Sequence, residues 1–320
     1  MTTEGLPDRI AFLGFGLIGG SVAKALRAAS TADGRSLQLV AWTPESTGPR
    51  AGLAAGILDV VAPDAAAALD GASLVILAAP PLDVLDLLDD LAGPWRASLA
   101  ADTTITDVAS TKAAISERAA RLGLPFVGGH PMAGRDESGV SASSADLFRD
   151  RPWVIVPPTR AAFAGSAATE AGAESHIARV EALARAVGAR PVTLGASEHD
   201  GLVAAISHLP LVAAAALVET VTGSACPAAA ADAGWAEDWP AAKRLAASGW
   251  RDATRLARGD PAMGAGILAT NAGPVVARLK AYRHVLDTWI TELERPSGPD
   301  PVELEERLLA VRERLDPPPE

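Results

Sequence analysis

The sequence predicts an α/β fold in which a doubly wound, mostly parallel sheet is followed by an all-helical region. In the first half, short apolar runs alternate with alanine- and leucine-rich helical patterns, which is typical of such a sheet. Strands are expected at 9–13, 37–42, 73–78, 99–105, 125–127 and 153–156. The second half is helical except for one short strand at 190–194. We expect a dinucleotide-binding domain over residues 1–158 and a helical domain over 159–320, which ends in a polar tail.

The helices of the second half are predicted from their apolar periodicity. They are expected at 176–187, 197–220, 240–247, 251–257, 261–290 and 301–315. Pro274 falls inside the fifth of these and should kink or break it, because proline removes a backbone donor and clashes with the preceding turn. Several apolar faces in this region favour a homodimer formed by the helical domain.

Composition excludes several classes of function. The chain has 320 residues, of which 49% are hydrophobic and 21% charged, so a globular protein is expected. A net charge of −11 argues against a nucleic-acid partner, although a local basic pocket can still bind a small anion. The single cysteine suits a reducing cytoplasm. We expect that no apolar run is long enough to span a membrane.

A glycine motif follows the first strand. Gly14, Gly16 and Gly19 form G-x-G-x-x-G between that strand and a helical pattern. Such glycines permit a tight turn, close approach of a pyrophosphate and packing of the helix on the strand. The order of strand, turn and helix favours a Rossmann-type dinucleotide site over a purely structural turn.

The end of the second strand bears on the choice of cofactor. An acidic residue there would bind the ribose 2′-hydroxyl of NAD, but Thr43 occupies that position. Arg50 lies near enough in sequence to meet a 2′-phosphate, which favours NADP slightly. Alternatively, Glu45 takes the role of the acid and the cofactor is NAD.

A histidine lies in the glycine-rich segment 126–139, FVGGHPMAGRDESG. We expect His130 on a rigid, open loop, because Pro131 disfavours a helix and glycines allow positive φ and close approach to a ligand. An imidazole held in this way suits proton transfer near neutral pH. A tight structural turn with an incidental histidine explains the same residues.

Ser110 follows the strand predicted at 99–105 and precedes a helical pattern. It is a natural helix N-cap. It also places a hydroxyl at the carboxyl end of a strand, where ligands of open α/β sheets bind. The spacing does not choose between these roles.

Two arginines lie four residues apart in a predicted helix. Arg251 and Arg255 therefore share a face, and two guanidinium groups suit a substrate with carboxylates. An exposed charged face that includes Asp252 is the commoner arrangement.

Two further histidines lie on the helix predicted at 197–220. His199 and His208 are nine residues apart, so a regular α-helix directs them to opposite sides. No histidine or cysteine cluster has metal-ligand spacing, so we expect no metal. By itself, His208 is explained as a core histidine.

Together these motifs resemble the prephenate/arogenate dehydrogenase family of tyrosine biosynthesis. The resemblance covers residues 9 to about 290. It rests on GFGLIGGS at 14–21, DVASTK at 107–112, GGHPMAG at 128–134 with the ESG that follows, EHD at 198–200, SHLP at 207–210 and RDATR at 251–255.

The resemblance implies a Rossmann domain followed by an all-α dimerisation domain. It also implies NAD(P)-dependent oxidative decarboxylation of prephenate to 4-hydroxyphenylpyruvate, or of arogenate directly to tyrosine. His130 would accept the proton of the ring hydroxyl, Ser110 would position that hydroxyl, and Arg255 would anchor a carboxylate. The substrate would also meet Arg251, His208, Arg135 and Asp136. The cofactor would meet Gly14, Gly16, Leu17, Ile18, Gly19, Thr43, Ala79 and Pro80.

Three departures from the family pattern leave the substrate open. Leu211 stands where many members have a second histidine, and Arg135-Asp136 stands where many have Thr-Glu. Arg135 would add a cation beside the substrate, whereas Asp136 would meet the amine of arogenate.

Two rival functions remain. A β-hydroxyacid dehydrogenase is expected to use a lysine of the helical domain, but residues 197–220 contain none. A non-catalytic dinucleotide-binding scaffold is the more remote alternative.

Overall fold

A computed structural model describes residues 2–135, 137–158, 170–223 and 235–315. Eight strands form one sheet in the order β3-β2-β1-β4-β5-β6-β7-β8. The strands are β1 Arg9–Leu13, β2 Gln38–Trp42, β3 Val60–Val61, β4 Leu74–Leu77, β5 Thr104–Asp107, β6 Phe126–Pro131, β7 Pro152–Val156 and β8 Arg190–Thr193. All neighbouring pairs are parallel except β6 and β7. The order of the first six strands is that of a doubly wound dinucleotide-binding sheet, with its topological switch between β1 and β4.

Helices cover both faces of the sheet and make up the second half of the chain. The first six are α1 Leu17–Asp33, α2 Thr47–Ala54, α3 Ala65–Leu69, α4 Pro81–Ala92, α5 Ala113–Arg121 and α6 Glu170–Ala186. The others are α7 Ala196–Val203, α8 Leu209–Thr222, α9 Trp235–Leu245, α10 Ser248–Ala253, α11 Pro261–Thr270, α12 Ala272–Leu293 and α13 Pro301–Leu315. A π-helical segment, Ala204–His208, joins α7 to α8, and a 3₁₀ turn, Arg255–Arg258, follows α10. The predicted fold class is confirmed.

Two apolar clusters pack on opposite faces of the sheet. One contains Phe12 and Trp153 and lies under α1 and α6, and the other contains Val75 and Leu88 and lies under α4 and α5. Because strands covered on both faces bury their side chains, β4 and, after Arg9, β1 are continuous apolar runs.

Several predicted boundaries were wrong. Three short elements between residues 47 and 69, α2, β3 and α3, were not predicted from the sequence. The fifth strand begins at Thr104 and not at residue 99, because the preceding residues form a 3₁₀ turn and a bend. In contrast, the break predicted within the helix over 261–290 is confirmed: the helix is interrupted at Asn271, which places Pro274 in the first turn of α12, where proline is tolerated.

The sheet continues past residue 158, where the sequence analysis ended the first domain. β8 pairs in parallel with β7, and α6 packs against β6, β7 and β8. We therefore propose a boundary near Leu194 and Gly195, between β8 and α7.

The helical stretch Ala196–Thr222 is long and apolar enough to cross a membrane by length and composition alone. The expectation that no run reaches this length was therefore wrong. The stretch nevertheless buries three polar side chains inside the protein, His199, Asp200 and His208. Its π-helical segment also packs against α12. These contacts describe a helix that packs within the fold.

Candidate active site

The glycine turn between β1 and α1 has the geometry of a dinucleotide site. Gly14 has φ +93°, and a Cβ there would lie 2.4 Å from the carbonyl oxygen of Ala78, so only glycine fits. Gly16 begins α1 and would direct a Cβ into open space. Gly19 packs on Ala78, which brings α1 close to β4.

The first turn of α1 has backbone donors to offer a ligand. No side chain caps the helix at Gly16, and no acidic residue lies in its first turn. The free N–H groups and the positive end of the helix dipole suit a pyrophosphate. The residues present therefore fit the dinucleotide that the glycine motif predicts.

Two neighbouring cavities meet at this turn and share Gly16, Ala79 and Pro80. The smaller, of about 350 Å³, extends toward the end of β2, where Thr43 and Glu45 line it. The larger, of about 470 Å³, extends toward the helical half of the chain. Among the residues that line the larger cavity are Leu17, Ile18, Ser110, His130, Arg255 and Met263. The two cavities together give an extended dinucleotide space on both sides of the glycine turn.

His130 lies on strand β6 and not on the loop that the sequence predicted. It pairs with Val154 of β7, and its side chain lines the larger cavity. The preceding glycines serve packing, not positive φ. A Cβ on Gly129 would lie 2.5 Å from the carbonyl oxygen of Asp107, and one on Gly128 would lie 3.2 Å from Lys112 Cδ. A strand holds the imidazole more rigidly than a loop would.

A buried ion pair lies behind His130. Lys112 Nζ donates to Asp107, and both side chains are fully buried. Asp107 also accepts the backbone N–H of Gly129 at 2.9 Å. Burial raises the pKa of Asp107 and lowers that of Lys112, while their mutual attraction opposes both shifts. The pair connects β5 with the strand that carries His130.

Ser110 lines the larger cavity and is not the N-cap of α5, which begins three residues later. The cap comes from the helical half of the chain. Asp200 accepts the backbone N–H of Lys112 at 2.8 Å and that of Ala113 at 2.9 Å. Because another residue caps α5, the hydroxyl of Ser110 is not needed there.

His130 contacts a second histidine that the sequence analysis did not assign to the site. The Nδ1 atom of His130 lies 2.8 Å from Nε2 of His199, and Nδ1 of His199 lies 2.8 Å from Oδ1 of Asp200. Burial, with smaller contributions from the neighbouring His199, Lys112 and His208, holds the pKa of His130 well below its ordinary value. A neutral imidazole therefore faces the cavity at physiological pH.

His208 is buried and is not among the described residues that line the larger cavity. The side-chain amide of Asn271 lies 3.0 Å from its Nδ1 and also donates to the carbonyl of Asp200. Burial lowers the pKa of His208 to about 4. The π-helical segment explains why His199 and His208 are both buried, contrary to the expectation of opposite sides. A π turn holds more residues than an α turn and so changes the angle between them.

The two arginines of the RDATR motif do not share a face and differ in their position relative to the larger cavity. Both arginines are exposed, but Arg255 is among the described residues that line the larger cavity and Arg251 is not. The predicted shared face is lost because α10 ends at Ala253 and a 3₁₀ turn begins at Arg255. Arg135 also lines the cavity, and Asp136 lies outside the described residues.

Of the other residues considered for substrate or cofactor binding, some line a cavity and others do not. Leu211 lines the larger cavity, as do Glu137 and Asp260, which the sequence analysis did not single out. Gly19 packs below the glycine turn and lines neither cavity. Within the described ranges, no three histidine, cysteine or acidic side chains are grouped so that they could hold a metal ion.

Comparison with known proteins agrees with this arrangement. Residues 22–165 match the family described as "Prephenate dehydrogenase, nucleotide-binding domain", and residues 195–306 match "Prephenate dehydrogenase, dimerization domain". Prephenate dehydrogenase of Bacillus subtilis is 32% identical over 294 residues, which cover 91% of this chain and 69% of that protein.

Two solved structures are similar over nearly their whole length. Prephenate dehydrogenase from A. aeolicus, in complex with hydroxyphenyl propionate and NAD+, has a TM-score of 0.77 and 25% identity, covering 97% of this chain and 99% of that one. Arogenate dehydrogenase of Synechocystis has a TM-score of 0.70 and 27% identity, covering 96% and 99%.

The fold and site are those of an oxidoreductase that uses an NAD-type dinucleotide. The glycine turn lies at the switch point of the sheet, and the adjoining larger cavity is lined by His130. The chain is a dehydrogenase, and it belongs to the prephenate dehydrogenase family.

Proposed function

We propose that the protein catalyses the oxidative decarboxylation of prephenate to 4-hydroxyphenylpyruvate, a step of tyrosine biosynthesis in the cytoplasm. The observation that carries the proposal is the larger cavity, in which His130, Ser110 and Arg255 face the same space beside the glycine turn. The relatives named prephenate dehydrogenase support the choice of substrate.

His130 is the proposed general base. Its low pKa keeps the ring neutral, so the free nitrogen can accept the proton of the substrate's ring hydroxyl. The Ser110 hydroxyl lies at the carboxyl end of β5 and would hydrogen-bond the same substrate oxygen. The bound dinucleotide supplies the acceptor for the hydride that leaves the carbon bearing this hydroxyl.

The remaining electrons move within the substrate. Loss of hydride and proton converts the ring alcohol into a carbonyl conjugated with the ring double bonds. The electrons of the bond to the ring carboxylate then enter the ring, CO₂ leaves, and the carbonyl oxygen takes up a proton to become the phenol. Aromatisation makes this step favourable, so the chain must mainly hold the substrate and accept one proton.

Arg255 is the proposed carboxylate anchor. It lines the larger cavity from the 3₁₀ turn after α10. Arg135 adds a second cation from the loop after β6. Two cations suit prephenate, which carries two carboxylates. We do not assign Arg251 or His208 a direct contact, because neither lines the cavity.

Arogenate is the alternative substrate, and one observation favours it. Glu137 and Asp260 also line the cavity, and either carboxylate could meet the amine that distinguishes arogenate from prephenate. The similarity to the Synechocystis arogenate dehydrogenase supports the same alternative.

For the cofactor we propose that both dinucleotides are accepted, with a slight preference for NADP. Thr43 lines the smaller cavity and leaves space for a 2′-phosphate, whereas Glu45 lines the same cavity and would repel that group. The opposed effects explain why the preference is small.

We propose a homodimer formed by the helical region, and no nucleic-acid or membrane partner. The match to a dimerization domain over residues 195–306 supports it. Large apolar side chains on α12 and α13 are exposed in the single chain, which is unusual for a surface that stays in water. They include Val276, Leu286, Ile290, Leu293, Leu308 and Leu309.

The experiment is a turnover assay that follows the absorbance of the reduced cofactor with prephenate or arogenate, each with NAD+ and NADP+. We expect turnover with prephenate, and slower or equal turnover with arogenate. Absence of turnover in all four combinations would refute the proposed function. Turnover with arogenate alone would replace prephenate as the substrate.

A further inference from the structure

We infer that His199 and Asp200 are positioning residues that hold His130 in the tautomer whose Nε2 faces the cavity as a proton acceptor. The inference rests on the proposed function, since it assigns a means of orienting the proposed base. A chain of hydrogen bonds that runs from α5 through α7 to β6 carries it.

The chain begins at the carboxylate of Asp200. Its Oδ1 accepts the backbone N–H of Lys112 and its Oδ2 accepts that of Ala113, at the N-terminus of α5. The positive end of a helix dipole stabilises a negative charge at this place. Because both oxygens accept backbone N–H groups, the carboxylate acts as an acceptor toward its third partner, His199.

The tautomer of each ring follows from this acceptor. His199 Nδ1 must donate to Asp200 Oδ1 across 2.8 Å. In the neutral form of this ring one nitrogen donates and the other accepts, so Nε2 of His199 is then an acceptor. It then receives the Nδ1–H of His130, also across 2.8 Å. The lone pair of His130 is therefore on Nε2.

The surroundings exclude competing partners. The side chains of His199 and Asp200 are 1% and 2% exposed, so water does not compete for these bonds. The two rings meet at an interplanar angle of 79°, an edge contact that permits a bond between ring nitrogens, unlike stacking.

The other titratable groups near His130 already have partners. Lys112 is paired with Asp107, and the Nδ1 of His208 is hydrogen-bonded to Asn271. Among the described residues, the path through His199 is thus the one that connects His130 to a carboxylate. When Nε2 takes a proton, the Nδ1–H of the charged ring donates into this path, which stabilises the positive charge.

Histidine NMR tests the tautomer without relying on turnover. The chain has five histidines, so ¹⁵N-labelled histidine gives few signals, and the spectrum of His130→Gln assigns that of His130. At pH 8 we expect His130 of the wild type to carry its proton on Nδ1. A proton on Nε2 would overturn the inference. His199→Phe should move the proton of His130 toward Nε2, and an unchanged tautomer in this variant would also overturn it.

Kinetics test the consequence. His199→Phe should lower kcat by about 10- to 100-fold, as expected when the partner that orients an active residue is lost, with the KM for prephenate and cofactor affinity unchanged. His199→Gln should restore most of the rate, because an amide can accept from His130 and donate to Asp200. Equal losses in the two variants would overturn the inference.

The exposed His284→Gln serves as the matched control and should retain the wild-type rate. If the wild type turns over neither prephenate nor arogenate, the proposed function fails. The tautomer of His130 is still measurable in that case, so the two failures are distinguishable.

Discussion

The carboxylate of Asp200 accepts the backbone N–H of Lys112 at 2.8 Å, which joins the helical half of the chain to the first turn of α5. A second bond between the same regions links the hydroxyls of Thr111 and Thr270 at 2.8 Å. Residues 111–113 directly follow Ser110, which lines the substrate cavity. The contacts that hold the two regions together therefore also set the position of the proposed site.

Arg255 and Arg251 form a matched pair, because one lines the cavity and the other does not. We expect Arg255→Ala to raise the KM for prephenate and to lower kcat/KM by roughly 10- to 100-fold, the cost of losing a hydrogen bond to a charged group. Arg251→Ala should leave both constants near the wild-type values. Steady-state kinetics at saturating cofactor measure this difference, and equal effects of the two substitutions would contradict the assignment of Arg255.

The glycines of the GGHPMAG segment differ in the space around them. A Cβ on Gly129 would clash with the backbone of Asp107, whereas one on Gly134 would meet nothing within 4 Å. Gly129→Ala should therefore lower the free energy of unfolding by about 1–3 kcal/mol, as overpacking does. Gly134→Ala should change it little. Denaturant unfolding measures both, and a stable Gly129→Ala would show that β6 has room to move away from β5.

Buried His208 makes stability depend on pH. In the unfolded chain a histidine binds its proton near pH 6.5, but burial lowers the pKa of His208 to about 4. Between these values the unfolded state binds more protons, so the free energy of unfolding should fall as the pH falls from 6.5 to 4. The loss is on the order of 3 kcal/mol, with no contribution above pH 6.5.

Unfolding curves across this range check the prediction, with exposed His284→Gln as a control that keeps the wild-type slope. His208→Gln should make the slope shallower, because glutamine does not titrate, while His130, whose pKa burial also lowers, still contributes. If the free energy of unfolding is constant between pH 6.5 and 4, His208 is not held neutral by burial.

Two residues that line the smaller cavity, Glu45 and Thr43, should determine the preference between NADP+ and NAD+. Glu45→Gln removes the charge that opposes a 2′-phosphate and should raise the ratio of kcat/KM for NADP+ over NAD+ by about tenfold, which corresponds to about 1.4 kcal/mol. Thr43→Asp should change the ratio in the opposite direction, because an acid at the end of β2 binds the ribose hydroxyls of NAD. A ratio that neither substitution changes would place the adenosine ribose elsewhere.

The glycine turn, most strands of the sheet and the break before Pro274 could be predicted because each depends on local pattern. The elements between residues 47 and 69 could not, since α2, β3 and α3 are too short to show a period. His208 is buried as expected of a core histidine, but the burial of His199 in the same stretch was missed for another reason. It depends on a π-helical segment that is packed against α12, and a sequence pattern does not reveal that distortion.

The roles of neighbouring residues were also hidden from the sequence. Serine is a residue type that commonly caps helices, so the sequence favours Ser110 as the N-cap of α5. The tertiary contact of Asp200 with α5 shows that Asp200 caps this helix instead. To identify His199 as the partner of His130, one must ask which side chains of the EHD motif meet the end of β6. That question requires the three-dimensional arrangement of α7 beside α5.

The central claim is that His130 accepts the proton released as prephenate is oxidised and decarboxylated. The most direct measurement uses prephenate labelled with ¹³C in its ring carboxylate and quantifies labelled CO₂ and reduced cofactor in one reaction. The wild type should yield the two products in equal amounts. His130→Gln should lose about 10²- to 10⁴-fold in kcat for both, with unchanged cofactor binding. Equal yields at a near-normal rate in His130→Gln would contradict the account.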